Sequence, residues 1–412
     1  MSSPKQTENS ILTPLSFTTA SPQPTSPLFN TLPPELRHQI FTYALTQCED
    51  TDPDHAYSRE TYWSRPGYSA PLKTHTALLR TCKLAYAEGW WMPLAFAEHI
   101  FYLTADERAP PRIGSSAGKL DRNAFERFLA QIHEIHATRG MDAGEVGVDM
   151  HTGPLHIFAQ LYMLEPGNAL QDLLSIEHFA PRSVTLTLRY TDFWHWERNE
   201  PLRVDATWVN VVRFPDSVRR FVVDFESVER RKGEVDVLVA QAVEGWVFRR
   251  KDGGLLRATT QDVTVSRWSG SSMFGGRRWL RDETPERPGV LDYYVVSVVW
   301  KLDRASLRPA PDSGLGQGEE EEHDECPSIR VPYDFVQVSA PLSGWSSLSE
   351  NELRMAGVGM DVAAEEAVEA VRVFRANSVA SRARSRSLAR GLRMGGFMRR
   401  GGGGGGGGGD LI

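Results

Sequence analysis

Ser183-Val184-Thr185-Leu186-Thr187-Leu188-Arg189 alternates apolar and polar side chains with a period of two. Successive side chains of a strand point to opposite faces, so the run predicts a half-buried strand with Val184, Leu186 and Leu188 on one side. Upstream, Leu155, Ile157, Ala159 and Leu161 alternate in the same way until Glu165-Pro166-Gly167 stops them. Downstream, Phe221, Val222, Val223 and Phe225 mark another strand. The stretches between read as helices, one at 168–178 and one near 205–213 that ends at Phe214-Pro215. Strands spaced about 30 residues apart with a helix between are βαβ units. Beyond them, a helix over 233–247 carries Val235, Leu238, Val239, Ala242 and Trp246, and Lys251-Asp252-Gly253-Gly254 signals a turn between Phe248 and Leu255-Leu256. Val263–Trp268 and Tyr293–Trp300 are expected as an antiparallel pair. The expected fold class is α+β: an N-terminal helical segment packed on a mixed, partly parallel sheet with helices mainly on one side, and disordered termini.

The N-terminal part has helical spacing. Pro33 and Pro34 suit a first turn, where missing N–H groups cost nothing. Leu36, Ile40, Tyr43 and Ala44 then give a helix over 33–46 with one apolar face. A long loop over 50–74 follows, then a helix over 75–91 with Leu78, Leu79, Cys82, Ala85, Tyr86 and Gly89 on its face. Phe96, Ile100, Tyr102 and Leu103 suggest a short strand. Asp121 can cap a helix with the face Phe125, Phe128, Leu129, Ile132 and Ile135.

Composition changes sharply along the 412 residues. Residues 1–28 are rich in Ser, Thr and Pro and read as a disordered arm. Residues 29–104 form the helical segment and 105–303 the α/β body, and 29–303 together hold ten of the eleven tryptophans. Residues 304–412 read as a largely disordered tail, with an acidic run from Glu319 to Glu325, an arginine-rich stretch from Arg372 to Arg400, and nine consecutive glycines from Gly401. The net charge of -7 averages over these opposite segments. No apolar run approaches the roughly 18 residues of a membrane span. Three cysteines are too few for a secreted disulfide scaffold, so the expected compartment is intracellular, cytoplasm or nucleus.

Leu32-Pro33-Pro34-Glu35-Leu36-Arg37, followed by Ile40, Tyr43 and Leu45, resembles the start of an F-box. With Ala77-Leu78-Leu79-Arg80-Thr81-Cys82-Lys83, the run Thr185–Trp194 and Phe248-Arg249-Arg250-Lys251-Asp252-Gly253, the chain is more closely similar to a large group of F-box-like fungal proteins of unknown function. An F-box implies a helical module that docks on the Skp adaptor of a ubiquitin ligase. The positions that would carry docking here are Leu32, Pro33, Leu36, Ile40 and Leu45 in the first helix, and Leu79, Cys82 and Tyr86 in the second block. The chain departs from the pattern in the roughly 30 residues between Leu45 and Leu78, where an F-box has a short connection. In that case these apolar faces close on the sheet as ordinary core.

No chemistry is legible. His133 and His136 share a helix face, but no Cys pair or carboxylate cluster joins them, so a solvent-facing pair is expected and no metal. Gly114-Ser115-Ser116-Ala117-Gly118-Lys119-Leu120 has the wrong spacing for a phosphate loop, and Leu120 replaces the needed hydroxyl. No catalytic residue or cofactor is nominated. Tyr190, Phe193, Trp194 and Trp196, with Trp208, form the densest aromatic cluster. It could line a client or ligand surface, or cap the core. The expected function is a non-enzymatic protein-interaction module joining an unidentified client to a Skp-type adaptor. The alternatives are a stand-alone α/β binding domain and a protein making weak nucleic-acid contacts through its arginine-rich tail.

Overall fold

The computed structural model describes residues 20–111, 122–143, 151–198, 200–274, 277–279, 282–283, 287–307, 325–335, 350–358 and 367–381. The first 19 residues of the expected arm, the Gly114–Lys119 loop, Asp121, the His136 side chain, the acidic run up to Asp324 and everything beyond 381 lie outside the described residues. The chain divides into two units, 1–277 with 290–340 and 278–289 with 341–412.

In the first unit, helix α1 (Pro34–Leu45) begins on a proline as expected. The loop that follows it is tied at its ends by strands β1 (Cys48–Glu49) and β2 (Leu72–Lys73), paired antiparallel. The helix expected over 75–91 is instead broken into a 3₁₀ segment Thr76–Arg80, α2 (Lys83–Gly89) and α3 (Met92–Phe96). Cys82 causes the first break: it is extended, and its Sγ accepts from Ala85 N at 3.4 Å to cap α2. Pro93 marks the second, since a ring without N–H fits the first turn of a new helix and not the interior of a continuing one.

Strand β3 (His99–Leu103) and helix α4 (Arg122–Ala143) lead to β4 (Leu155–Ala159). β4 is shorter than the alternation suggests, because Leu161 already belongs to the helical turn α5 (Leu161–Leu164). Helix α6 (Asn168–Leu174), β5 (Ser183–Leu188), the short β6 (Arg203–Val204), α7 (Thr207–Val211), β7 (Arg213–Phe214) and β8 (Arg220–Val228) follow. The helix expected up to residue 213 stops at Val211, since Arg213–Phe214 is drawn into the sheet beside Arg249 and Arg250. Helix α8 (Lys232–Gly245), β9 (Phe248–Arg250), β10 (Leu255–Arg257), β11 (Val263–Ser271), the short β12 (Met273–Phe274) and β13 (Arg277–Arg278), and the long β14 (Val290–Asp303) complete the body. The short β15 (Ile329–Arg330) pairs with β6.

The main sheet runs β3-β4-β5-β8-β14-β10-β9-β7, with β11 also on β14. β3, β4, β5 and β8 are parallel neighbours in chain order, the βαβ succession expected. β14 is antiparallel to β8, β10 and β11, so the sheet is mixed. Right-handed crossovers between successive parallel neighbours place the connecting helices on one face. Leu155, Ile157, Val184, Leu186, Phe221, Val223, Val296 and Trp300 share a buried cluster with Ile132 of α4, Leu170 of α6, Trp208 of α7 and Leu238 of α8. Phe41, Leu45, Leu79, Ala85 and Met92 form a separate small core for the N-terminal helices.

The second unit holds α9 (Glu350–Met355) and a helix over 367–381. Leu353, Ala367 and Val371 form its buried cluster, and Arg375 binds Glu352 through two hydrogen bonds of 2.8 and 2.9 Å.

Candidate functional site

Two regions have the character of sites: the outer face of α1 and the sheet face opposite the helices. On α1 the apolar residues divide into two strips, where the sequence suggests one. Phe41 and Leu45 point into the small core. Leu36, Ile40 and Tyr43 are 46%, 41% and 79% exposed at positions i, i+4 and i+7. Arg37 holds the helix in place: its guanidinium donates to both carboxylate oxygens of Glu88 in α2, at 2.9 and 3.0 Å, and to Leu32 O at 2.8 Å. The set expected to dock an adaptor is therefore split. Leu36, Ile40 and Pro33 are exposed, Leu32, Cys82 and Tyr86 are half-buried, and Leu45 and Leu79 are core.

The aromatic cluster is packing. Of the two readings the sequence left open, burial of Tyr190, Phe193, Trp196 and Trp208 accords with core packing. Trp208 stands edge-on to Trp246 at 5.6 Å, inside the main core. Trp194 is half-buried and donates through its indole N–H to Glu165. His133 is exposed and stacks on His178 at 4.1 Å. Among the described residues no group of three or more His, Cys, Asp or Glu is placed to hold a metal ion, and no helix is long and apolar enough to cross a membrane.

On the sheet's other face, His156, Thr187 and Glu226 are polar and buried and Asp224 is half-buried, and the 50–74 loop packs on this face through Arg65 and Tyr68. Tyr68 stands edge-on to His156 and Phe158, and Arg65 lies 5.4 Å from the Phe158 ring centre. The polar groups form a chain of hydrogen bonds across the strands. Ser297 donates to Asp224 Oδ1 at 2.6 Å and Thr187 donates to Asp224 Oδ2 at 2.9 Å. With its one proton so engaged, Thr187 accepts from His156 Nε2 at 2.8 Å. On the other side of the ring, Nδ1 lies 3.1 Å from Glu98 Oε1 and 2.6 Å from the Tyr68 hydroxyl, which itself donates to Glu98 Oε2 at 2.9 Å. Nδ1 thus faces two oxygens at once, the Glu98 carboxylate and the Tyr68 hydroxyl. A second group lies beside it: Glu226, buried, accepts from Arg65 at 2.9 Å and from the Trp268 indole at 2.9 Å. Burial pushes the Glu226 carboxyl up, against the pull of Arg65.

Burial would also raise the Glu98 carboxyl, but the hydrogen bond and charge of His156, the Tyr68 hydroxyl and nearby His99 outweigh it and hold it below the usual carboxylate range. A folded-state pKa below the unfolded value of about 4.3 contributes stability at higher pH that is lost as pH falls through the folded value. Glu98→Gln is therefore expected to shrink the stability difference between pH 7 and pH 3.5, read by urea denaturation at both. An unchanged difference would show that Glu98 is not coupled to folding.

This network ends in a cleft of about 540 Å³ that wraps the β3 edge. Its described lining includes Tyr57, Tyr68 and Tyr102, the carboxylates Glu98, Asp106 and Asp172, and apolar residues such as Met163, Leu173 and Ile176, with no Lys, Arg or His. A usable signal for the hydrogen-bonded chain lies in the polar members of the strand runs, His156, Thr187, Asp224 and Glu226, which fall at alternate strand positions. Comparison with protein-family models, with curated proteins and with solved structures finds no match.

Proposed function

We propose that the chain is a non-enzymatic interaction protein, in which α1 docks a Skp-type adaptor and the α/β body holds a protein client. The observation that supports this is the Leu36–Ile40–Tyr43 strip: three large apolar side chains exposed on one helix whose own core needs are met by Phe41 and Leu45. Anchors at i, i+4 and i+7 are how an amphipathic helix seats in a partner's groove. The F-box resemblance of the same residues supplies the partner class.

Leu36→Asp is expected to abolish capture of purified full-length protein by an immobilised Skp adaptor. The melting temperature should hold, because an exposed substitution changes stability by about 0.5 kcal/mol or less. Absence of capture by the unaltered protein, or equal capture by the variant, would sink the proposal. Unfolding of the variant would instead assign Leu36 to the core of a stand-alone domain.

A further inference from the structure

β3 is an edge strand: in the main sheet it pairs with β4 alone. His99 N donates to Pro154 O at 2.8 Å, and Leu103 O accepts from Gln160 N at 3.0 Å. Residues 99, 101 and 103 therefore turn their main-chain groups toward β4, and by alternation Ile100 and Tyr102 turn theirs outward. Among the described residues no main-chain group pairs with that outer edge. Ile100 and Tyr102 also line the cleft. An open edge with a cleft beside it offers main-chain hydrogen bonds for an added strand and a pocket for one of its side chains.

The cleft's chemistry selects that side chain. Three tyrosines and three carboxylates, with no basic residue among the described lining, favour a cation. The Glu98 oxygens already serve His156 and Tyr68, but a carboxylate has about four acceptor positions, so it can take further donors. The Tyr57 and Tyr102 hydroxyls have no hydrogen-bond partner among the described residues and can accept as well. Aromatic faces around an ammonium add cation–π attraction.

We propose that this cleft binds an extended, lysine-bearing segment of a partner protein, which adds a strand to β3 and places the lysine ammonium among Tyr57, Tyr68, Tyr102 and Glu98. The site is separate from α1 and does not depend on what α1 docks.

The test uses the full chain and fluorescein-labelled heptapeptides that alternate valine and threonine around a central lysine, glutamate or norleucine. Fluorescence anisotropy is expected to show saturable binding of the lysine peptide, at least tenfold weaker binding of the glutamate peptide, and an intermediate norleucine peptide. Tyr57→Leu should weaken the lysine peptide at least tenfold and the norleucine peptide less than twofold. Leu36→Asp should leave all three unchanged. Bound lysine peptide should slow hydrogen exchange at the Ile100 and Tyr102 amides, a readout that needs no variant to fold. Equal binding of the three peptides, no binding at millimolar concentration, or binding without slowed exchange at those amides would overturn the proposal. Calorimetric binding of n-butylammonium without peptide binding would overturn strand addition.

Discussion

Asp192→Ala is expected to lower the unfolding free energy by about 3–5 kcal/mol, the cost of leaving a buried charge without its partner. Arg189 and Asp192 are both buried. The guanidinium donates to Asp192 Oδ2 at 2.7 Å and Oδ1 at 3.1 Å, and the Arg189 main-chain N–H also donates to Oδ2 at 3.0 Å. Burial alone would make the guanidinium easier to deprotonate, and the Asp192 carboxylate more than reverses this. Without Asp192, Arg189 keeps the carbonyls of Tyr62 and Arg108, at 2.9 and 3.4 Å, which are dipoles and not a counter-charge. Because Tyr62 belongs to the covering loop, the variant should also loosen the 50–74 segment. Urea denaturation at pH 7 and limited proteolysis of that loop check both effects. A loss under 1 kcal/mol would mean that solvent reaches the pair.

Gly153→Ala is expected to cost about 3 kcal/mol, the upper part of the range for overpacking. An added Cβ would lie 1.9 Å from Ala97 O and 2.8 Å from its carbonyl carbon. Both are main-chain atoms, which cannot swing away as the end of a flexible side chain does. Gly153 N also donates to Leu94 O at 3.0 Å, so the clash falls where α3 meets the start of β4. Thermal melts of the full chain should show one lowered transition. An unchanged melting temperature would mean that the 94–97 segment yields freely.

The helix-facing half of the sheet was legible because Val184, Leu186 and Leu188, or Phe221, Val223 and Phe225, repeat at the period a strand demands. The site was not legible as a site. Thr187 and Asp224 sit where a solvent-facing strand residue would sit, yet Thr187 is buried and Asp224 half-buried, and the 50–74 loop packs on the same face through Arg65 and Tyr68. That loop has no periodic pattern, so nothing local tells which surface Arg65 and Tyr68 cover. Alpha-helical spacing likewise picked out Leu36, Ile40 and Tyr43 on α1, yet Phe41 and Leu45 are what it buries, since spacing cannot say which of two apolar strips faces a neighbour. The break at Cys82 was hidden because a thiol is a rare cap, and the buried fate of Trp208 followed the bulk of its ring.

The hydrogen-bonded chain from Glu98 through His156, Thr187 and Asp224 to Ser297 also limits how this sequence can vary. Each member satisfies the next, so replacing one by an apolar residue of its size strands a neighbour, whereas replacing several together strands none. These positions, scattered over some 200 residues of chain, behave as one compound site of substitution. A route from this polar face to a greasy one has to cross less stable intermediates, and that barrier keeps the face as it is whatever the cleft beside it binds.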